Sequence, residues 1–116
     1  MRVDLLPISA GRDQAGRLTI AGFDLGRLAA QYGTPLYLYD AATIHQQAGL
    51  LTTLLKSSYP AAFDITYAAK AYFSLGIARK LAALNLGVDV VSLSELAVAQ
   101  AAGFSADRVH LHGNNK

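Results

Sequence analysis

The sequence predicts an α/β fold with a parallel sheet, and two observations in the second half of the chain indicate it. The first is hydrophobic patterning, because three short apolar runs of the kind that forms buried strands alternate with two segments whose apolar residues recur at helical spacing. The second is that Gly87 and Gly103 each follow a predicted helix and precede the next strand. Such alternation of strands and helices is typical of parallel α/β sheets.

The predicted elements follow one another closely along this half of the chain. Strands are predicted at residues 65–69, 88–91 and 108–112, and helices at residues 73–84 and 92–102. In a closed parallel barrel, the loops that follow the strands gather at the carboxyl ends of the strands, where the chemistry is found. Polar residues that follow these strands are therefore the candidate functional residues.

Lys70 follows the first apolar run directly. Lysine is rarely buried without a partner, because a buried ammonium group loses its hydration. A lysine here therefore either extends its head into water, as strand-end lysines usually do, or has a covalent role. Strand alternation predicts Thr66, Ala68 and Lys70 on one face of the strand, where the small Ala68 leaves room beside the amine for a flat ring.

Asp89 is a carboxylate inside the second apolar run. Such an acid is either satisfied structurally, by backbone donors or a neighbouring lysine, or it is functional, and the residues alone leave both interpretations open.

Other polar residues after the strands have structural interpretations. Ser92 is followed three residues later by Glu95, which is the spacing of a helix-capping box and favours a capping role for both side chains. His112 stands beside a turn, where a lone histidine is commonly a hydrogen-bonded loop residue, and Asn114 equally suits a turn.

Four motifs in matching order resemble a known family. The motifs are YGTPLYLYD at residues 32–40, YAAKA at 67–71, GVDVVS at 87–92 and HGNNK at 112–116. Together they resemble the opening of the diaminopimelate decarboxylases, within the alanine-racemase-like barrel family of pyridoxal phosphate enzymes, from about residue 28 onward. The resemblance implies the N-terminal part of a (β/α)8 TIM-type barrel, preceded by a segment of a β-rich domain.

The resemblance also implies roles for individual residues. Lys70 would hold pyridoxal 5'-phosphate covalently, and Asp89 would be its charged partner in catalysis. Ala68 and His112 would lie beside the cofactor. Residues that would line the active site are Ser92 and Asn114.

The activity implied is the decarboxylation of meso-diaminopimelate to L-lysine and carbon dioxide, the last step of lysine biosynthesis, in a homodimer. Several alternatives stay open. A decarboxylase of ornithine, arginine or carboxynorspermidine, or an amino-acid racemase, would share Lys70 on the same barrel. A non-enzymatic protein that binds pyridoxal phosphate and a purely structural module are further alternatives.

The first 40 residues are organised differently from the rest of the chain. The prediction is a polar turn at residues 11–16, strands at 18–23 and 36–39, and helices at 25–31 and 41–55. We assign residues 1–40 to the β-rich domain and residues 41–116 to the barrel. Since such a barrel closes with eight strands and about three are counted here, we expect an incomplete and inactive piece.

Amino-acid composition limits the classes of protein to which the chain can belong. The 116 residues are 53% hydrophobic, which indicates a globular protein, and no apolar run is long enough for a membrane span. The absence of cysteine excludes thiolate metal sites and disulfides and favours a cytoplasmic location. The three histidines lack metal-ligand spacing, and a net charge of +2 does not indicate nucleic-acid binding.

Overall fold

The computed structural model describes residues 5–113, and the chain divides into two compact units, Met1–Leu50 and Leu51–Lys116. In the described part of the chain, no helix is long and apolar enough to cross a membrane. The assignment of residues 1–40 and 41–116 to different domains stays a prediction.

The first unit contains a three-stranded antiparallel sheet in the order β1-β2-β3. Its strands are β1 (Ala10–Arg12), β2 (Leu18–Ile20) and β3 (Phe23–Asp24). Ala21 and Gly22 connect β2 to β3 with φ values of 49° and 80°, and a turn with two positive φ angles matches the twist of antiparallel strands. The predicted strand at residues 18–23 is therefore a hairpin, and β1 was missed because its few residues show no alternation.

Helix α1 (Leu25–Tyr32) follows β3, and its position confirms the predicted helix. Asp24 caps its first turn, accepting hydrogen bonds from the backbone N–H groups of Gly26 and Arg27. The predicted strand at residues 36–39 was wrong. Aromatic residues at alternate positions favour a strand locally, but a strand also needs sheet partners, and the sheet described for this unit consists of β1, β2 and β3.

Helix α2 (Ala41–Ser58) begins after Asp40 and confirms the long helix predicted here. Asp40 is buried, and its carboxylate accepts hydrogen bonds from the Thr43 N–H at 2.9 Å, from the Thr43 hydroxyl and from the Ser9 hydroxyl at 2.8 Å. These bonds, chiefly that from the Thr43 hydroxyl, lower the pKa of Asp40 and outweigh the opposing effect of burial. Asp40 therefore anchors the start of α2 to the loop that contains Ser9.

The second unit is the parallel α/β segment that the alternating pattern predicts. Its strands β4 (Thr66–Ala68), β5 (Gly87–Val90) and β6 (Val109–Leu111) form a parallel sheet in the order β4-β5-β6. Helices α3 (Leu75–Ala83) and α4 (Leu93–Ala102) connect them.

One face of this sheet forms the core of the second unit. Val88 and Val90 on β5 are fully buried and pack with Ala69 and with Ala99 of α4. The half-buried apolar residues packed against this cluster are Phe73, Leu96, Phe104, Val109 and Leu111. Because alternate residues of a strand point to opposite faces, the residue between Val88 and Val90 faces away from this core.

Candidate active site

Three side chains form a row across the parallel sheet on the face opposite the core. The strand register pairs Ala68 with Asp89, and Asp89 with His110. Asp89 lies between the buried Val88 and Val90 and is itself half-buried, so its carboxylate points to the other face. Partners in register share a face, and Ala68, Asp89 and His110 therefore define what we call the inner row.

Lys70 lies at the carboxyl end of β4, within a short 3₁₀ turn at Ala69–Ala71. The strand ends at Ala68, two residues earlier than the alternation of Thr66, Ala68 and Lys70 required. The backbone turns there, and Ala69 enters the core at 2% exposure while the Lys70 side chain is exposed. Lys70 is thus not buried in the part of the chain that the structure describes.

Ser92 and Glu95 form the cap of α4 that their spacing predicts. The Ser92 hydroxyl accepts a hydrogen bond from the Glu95 N–H at 3.2 Å, and a Glu95 carboxylate oxygen accepts one from the Val91 N–H at 2.7 Å. In the usual capping box the glutamate reaches the N–H of the capping residue, whereas here it reaches one residue further back. Ser92 therefore stabilises the helix start at the carboxyl end of β5, and its contact with a ligand stays a prediction.

His112 follows β6 at the same edge of the sheet. Its backbone N–H donates to the Val90 carbonyl at 2.8 Å, and its side chain is exposed. Residues 70, 92 and 112 consequently all follow the carboxyl ends of neighbouring parallel strands. Asn114, the remaining predicted lining residue, lies outside the described residues.

His110 was missed by the sequence analysis, although a signal was present. It is a polar residue between the apolar Val109 and Leu111, so strand alternation alone would have directed it away from the core. What the sequence could not indicate is that its partner in register is Asp89.

Charged groups at the amino ends of the strands are separate from this edge. Arg108 forms an ion pair with Asp64 at 2.6 Å and donates to the Asn85 carbonyl at 3.4 Å. A cavity of about 370 Å³ lies beside this pair, and Lys70 and Asp89 are not among the residues that line it. The pair connects the segments that lead into β4 and β6.

The second unit is thus a segment of a parallel α/β barrel with an exposed lysine, a carboxylate and two histidines toward one edge of its sheet. Residues 42–116 match the family model described as the pyridoxal binding domain of pyridoxal-dependent decarboxylases, and the chain belongs to this family.

Curated relatives and solved structures agree with this membership. The chain is 44% identical over 105 residues to a diaminopimelate decarboxylase of Bacillus subtilis, a match that covers 90% of the chain and 24% of the relative. It is 35% identical to one from Synechocystis, covering 97% of the chain and 26% of the relative. The chain therefore spans about a quarter of the length of these relatives.

A solved diaminopimelate decarboxylase from M. jannaschii, in co-complex with L-lysine, superimposes with a TM-score of 0.75 at 31% identity. This match covers 92% of the chain and 25% of the solved one. A second structure of the M. jannaschii enzyme gives a TM-score of 0.74 at 30% identity, covering 90% of the chain and 25% of the other. These matches confirm the predicted fold class, an incomplete barrel segment preceded by a β-rich segment.

Proposed function

We propose that this chain is the N-terminal part of a pyridoxal-phosphate-dependent decarboxylase that converts meso-diaminopimelate to L-lysine and carbon dioxide. The relatives that share its sequence and fold carry the name of that activity. The observation that carries the proposal is the exposed amine of Lys70 at the carboxyl end of β4, which is the edge where barrel enzymes place their chemistry.

The residues around Lys70 suit pyridoxal phosphate chemically. Attachment of its aldehyde needs an accessible primary amine, and the Lys70 side chain is exposed. Ala68 presents only a methyl group on the inner row and leaves space for a flat ring. Asp89, in register with Ala68, contributes a negative charge on the neighbouring strand.

Lys70 and Asp89 have distinct roles in the proposed reaction. Lys70 would hold the cofactor through Nζ. Asp89 acts electrostatically, since a nearby carboxylate stabilises positive charge on a lysine nitrogen. Pyridoxal phosphate, when bound, supplies an electron sink for the pair of electrons left by the departing carbon dioxide.

The remaining assignments belong to the same proposal. His112 lies beside the cofactor, and Ser92 and Asn114 line the active site. Residues 1–40 contribute to a β-rich domain and residues 41–116 to the barrel. The full-length protein acts on an amino-acid substrate as a homodimer in the cytoplasm.

Chemical labelling tests the role of Lys70. Borohydride reduction of the full-length protein with bound pyridoxal phosphate is expected to fix the cofactor on Lys70, because this amine is exposed at the carboxyl end of β4. Peptide mapping by mass spectrometry identifies the labelled residue. Lys70→Ala should abolish labelling and lower turnover by several orders of magnitude.

A matched control uses Lys80, an exposed lysine in the last turn of α3. Lys80→Arg should leave the labelling unchanged, whereas a label on Lys80 or Lys56 in the wild type would refute the assignment of Lys70. Carbon dioxide release from diaminopimelate, ornithine, arginine and carboxynorspermidine, measured in parallel, separates the substrates. Release from diaminopimelate alone is the expected result.

A further inference from the structure

His110 is a histidine on the inner row whose position nothing in the core explains. Val109 and Leu111 on either side of it pack against the buried cluster, and His110 itself is exposed on the opposite face. A histidine is not needed to pack this strand. Its side chain is directed instead to the face that carries Asp89.

The register places His110 directly beside Asp89. Adjacent strands lie roughly 4.8 Å apart, so rotation of the two side chains can bring the imidazole and the carboxylate of in-register partners to hydrogen-bond distance. On its other side Asp89 has Ala68, whose methyl group cannot donate. His110 is therefore the one donor side chain in register with Asp89 among residues 5–113.

Other polar and charged groups near this face have different positions or partners. The guanidinium of Arg108 is held by Asp64 at the amino end of the sheet. Lys70 and His112 follow the carboxyl ends of β4 and β6. In the described part of the chain, Asp89 and His110 form no side-chain hydrogen bond or ion pair, either with each other or with a third residue, so both groups are available for the bond that we infer.

We propose that His110 is a positioning residue that donates a hydrogen bond to the Asp89 carboxylate and holds it in the orientation that supports cofactor binding at Lys70. This inference rests on the proposed function, since it concerns the same cofactor. His110 acts only through Asp89. Substitution of His110 therefore lowers the affinity for the cofactor when residue 89 is aspartate. The same substitution leaves the affinity unchanged when the carboxylate has been removed.

A double-mutant cycle on cofactor affinity tests the proposal. Pyridoxal phosphate is titrated into the cofactor-free, full-length protein, and Kd is measured by absorbance for the wild type, His110→Leu, Asp89→Ala and the double variant. His110→Leu is expected to raise Kd about five-fold, as for the loss of one hydrogen bond. In the Asp89→Ala background, which lacks an acceptor at this position, the same substitution should change Kd less than about two-fold, because coupled residues are non-additive.

Rescue and spectroscopy distinguish positioning from a merely structural role. His110→Gln retains a donor and should recover most of the affinity that His110→Leu loses. The pH midpoint of the bound cofactor's absorbance should fall in His110→Leu, since a displaced carboxylate stabilises the protonated form less, and should be nearly restored in His110→Gln. His45→Leu, a matched change of an exposed histidine on α2, should leave Kd unchanged.

The outcomes separate this inference from the proposed function. If the wild type binds pyridoxal phosphate but His110→Leu has no effect, or has the same effect in both Asp89 backgrounds, the inference is overturned while the proposed function stands. If the wild type does not bind the cofactor, both are overturned. Should His110→Leu fail to fold, His110→Ala completes the cycle, and an effect of His110→Ala on Kd that is equal in both Asp89 backgrounds overturns the inference equally.

Discussion

Gly87 is a residue of β5 that lies close to the chain on both sides of it. It starts β5 and is buried, and its N–H donates to the Ile65 carbonyl at 2.9 Å. A Cβ atom there would lie 3.0 Å from the Thr66 hydroxyl oxygen and 3.3 Å from the Arg108 carbonyl oxygen. The Arg108 carbonyl directly precedes β6, so it can move away from an added Cβ atom only if β6 moves with it. The spacing of the strands that carry the inner row therefore depends on the absence of a side chain at Gly87.

Gly87→Ala is therefore expected to destabilise the protein by about 1–3 kcal/mol, the usual cost of overpacking. Gly49→Ala is the matched control. Gly49 lies within α2 with no atom within 4 Å of the added Cβ, so alanine there should stabilise by about 0.5–1 kcal/mol. Urea unfolding of the full-length variants measures both changes, and a stabilising effect of Gly87→Ala would contradict the close approach.

Among the elements, helix α4 begins at the candidate active site, and its N-cap residue, Ser92, is also a predicted lining residue of that site. Ser92 ends the connection from β5, and its hydroxyl accepts from the Glu95 N–H. Gly103 ends the same helix in the left-handed conformation, with φ of 87°. The helix that follows Asp89 is consequently delimited at both ends by local interactions, which is why its position was predictable.

Ser92→Ala should lower the free energy of unfolding by about 1 kcal/mol, because the Glu95 N–H loses its acceptor. Ser92→Thr retains the hydroxyl and should keep most of that stability. Urea unfolding combined with the cofactor Kd separates the two roles of Ser92. If Ser92→Ala weakens cofactor binding without changing the stability, the capping role is refuted as the main function of this side chain.

On the scale of the whole molecule, the second unit presents open sheet edges and apolar surface. In the described sheet, β4 and β6 each pair with a single neighbour, β5. Large apolar side chains of this unit are also exposed, among them Leu93 at 62% and Tyr59 at 51%. Unpaired strand edges and apolar patches tend to associate with other chains.

The 116-residue chain expressed alone is therefore expected to self-associate and to lose pyridoxal phosphate on a desalting column. Barrels of this type usually bind phosphate through loops after the seventh and eighth strands, and this chain spans about a quarter of its relatives. Size-exclusion chromatography with absorbance scanning measures both properties, with the full-length protein as the control. A monodisperse monomer with stoichiometric cofactor would contradict this expectation.

Much of the second unit was predictable because its signals are local. Helices α3 and α4 have apolar residues at helical spacing, and the strands between them are short apolar runs. The first unit was less predictable, since β1 to β3 have only two or three residues each and residues 36–39 have strand propensity without a described strand. Short strands form only where they pair with neighbouring strands, and the strand propensity of individual residues does not indicate such pairing.

The sequence by itself determined the order of elements in the second unit, the cap of α4 and the presence of a lysine after the first strand of a parallel sheet. The tertiary structure decided that Lys70 leaves the strand and is exposed, and that His110 is the neighbour of Asp89. The physical reason is register. Asp89 and His110 are far apart along the chain, and their alignment depends on how α4 packs Val88, Val90 and Leu111 into one core.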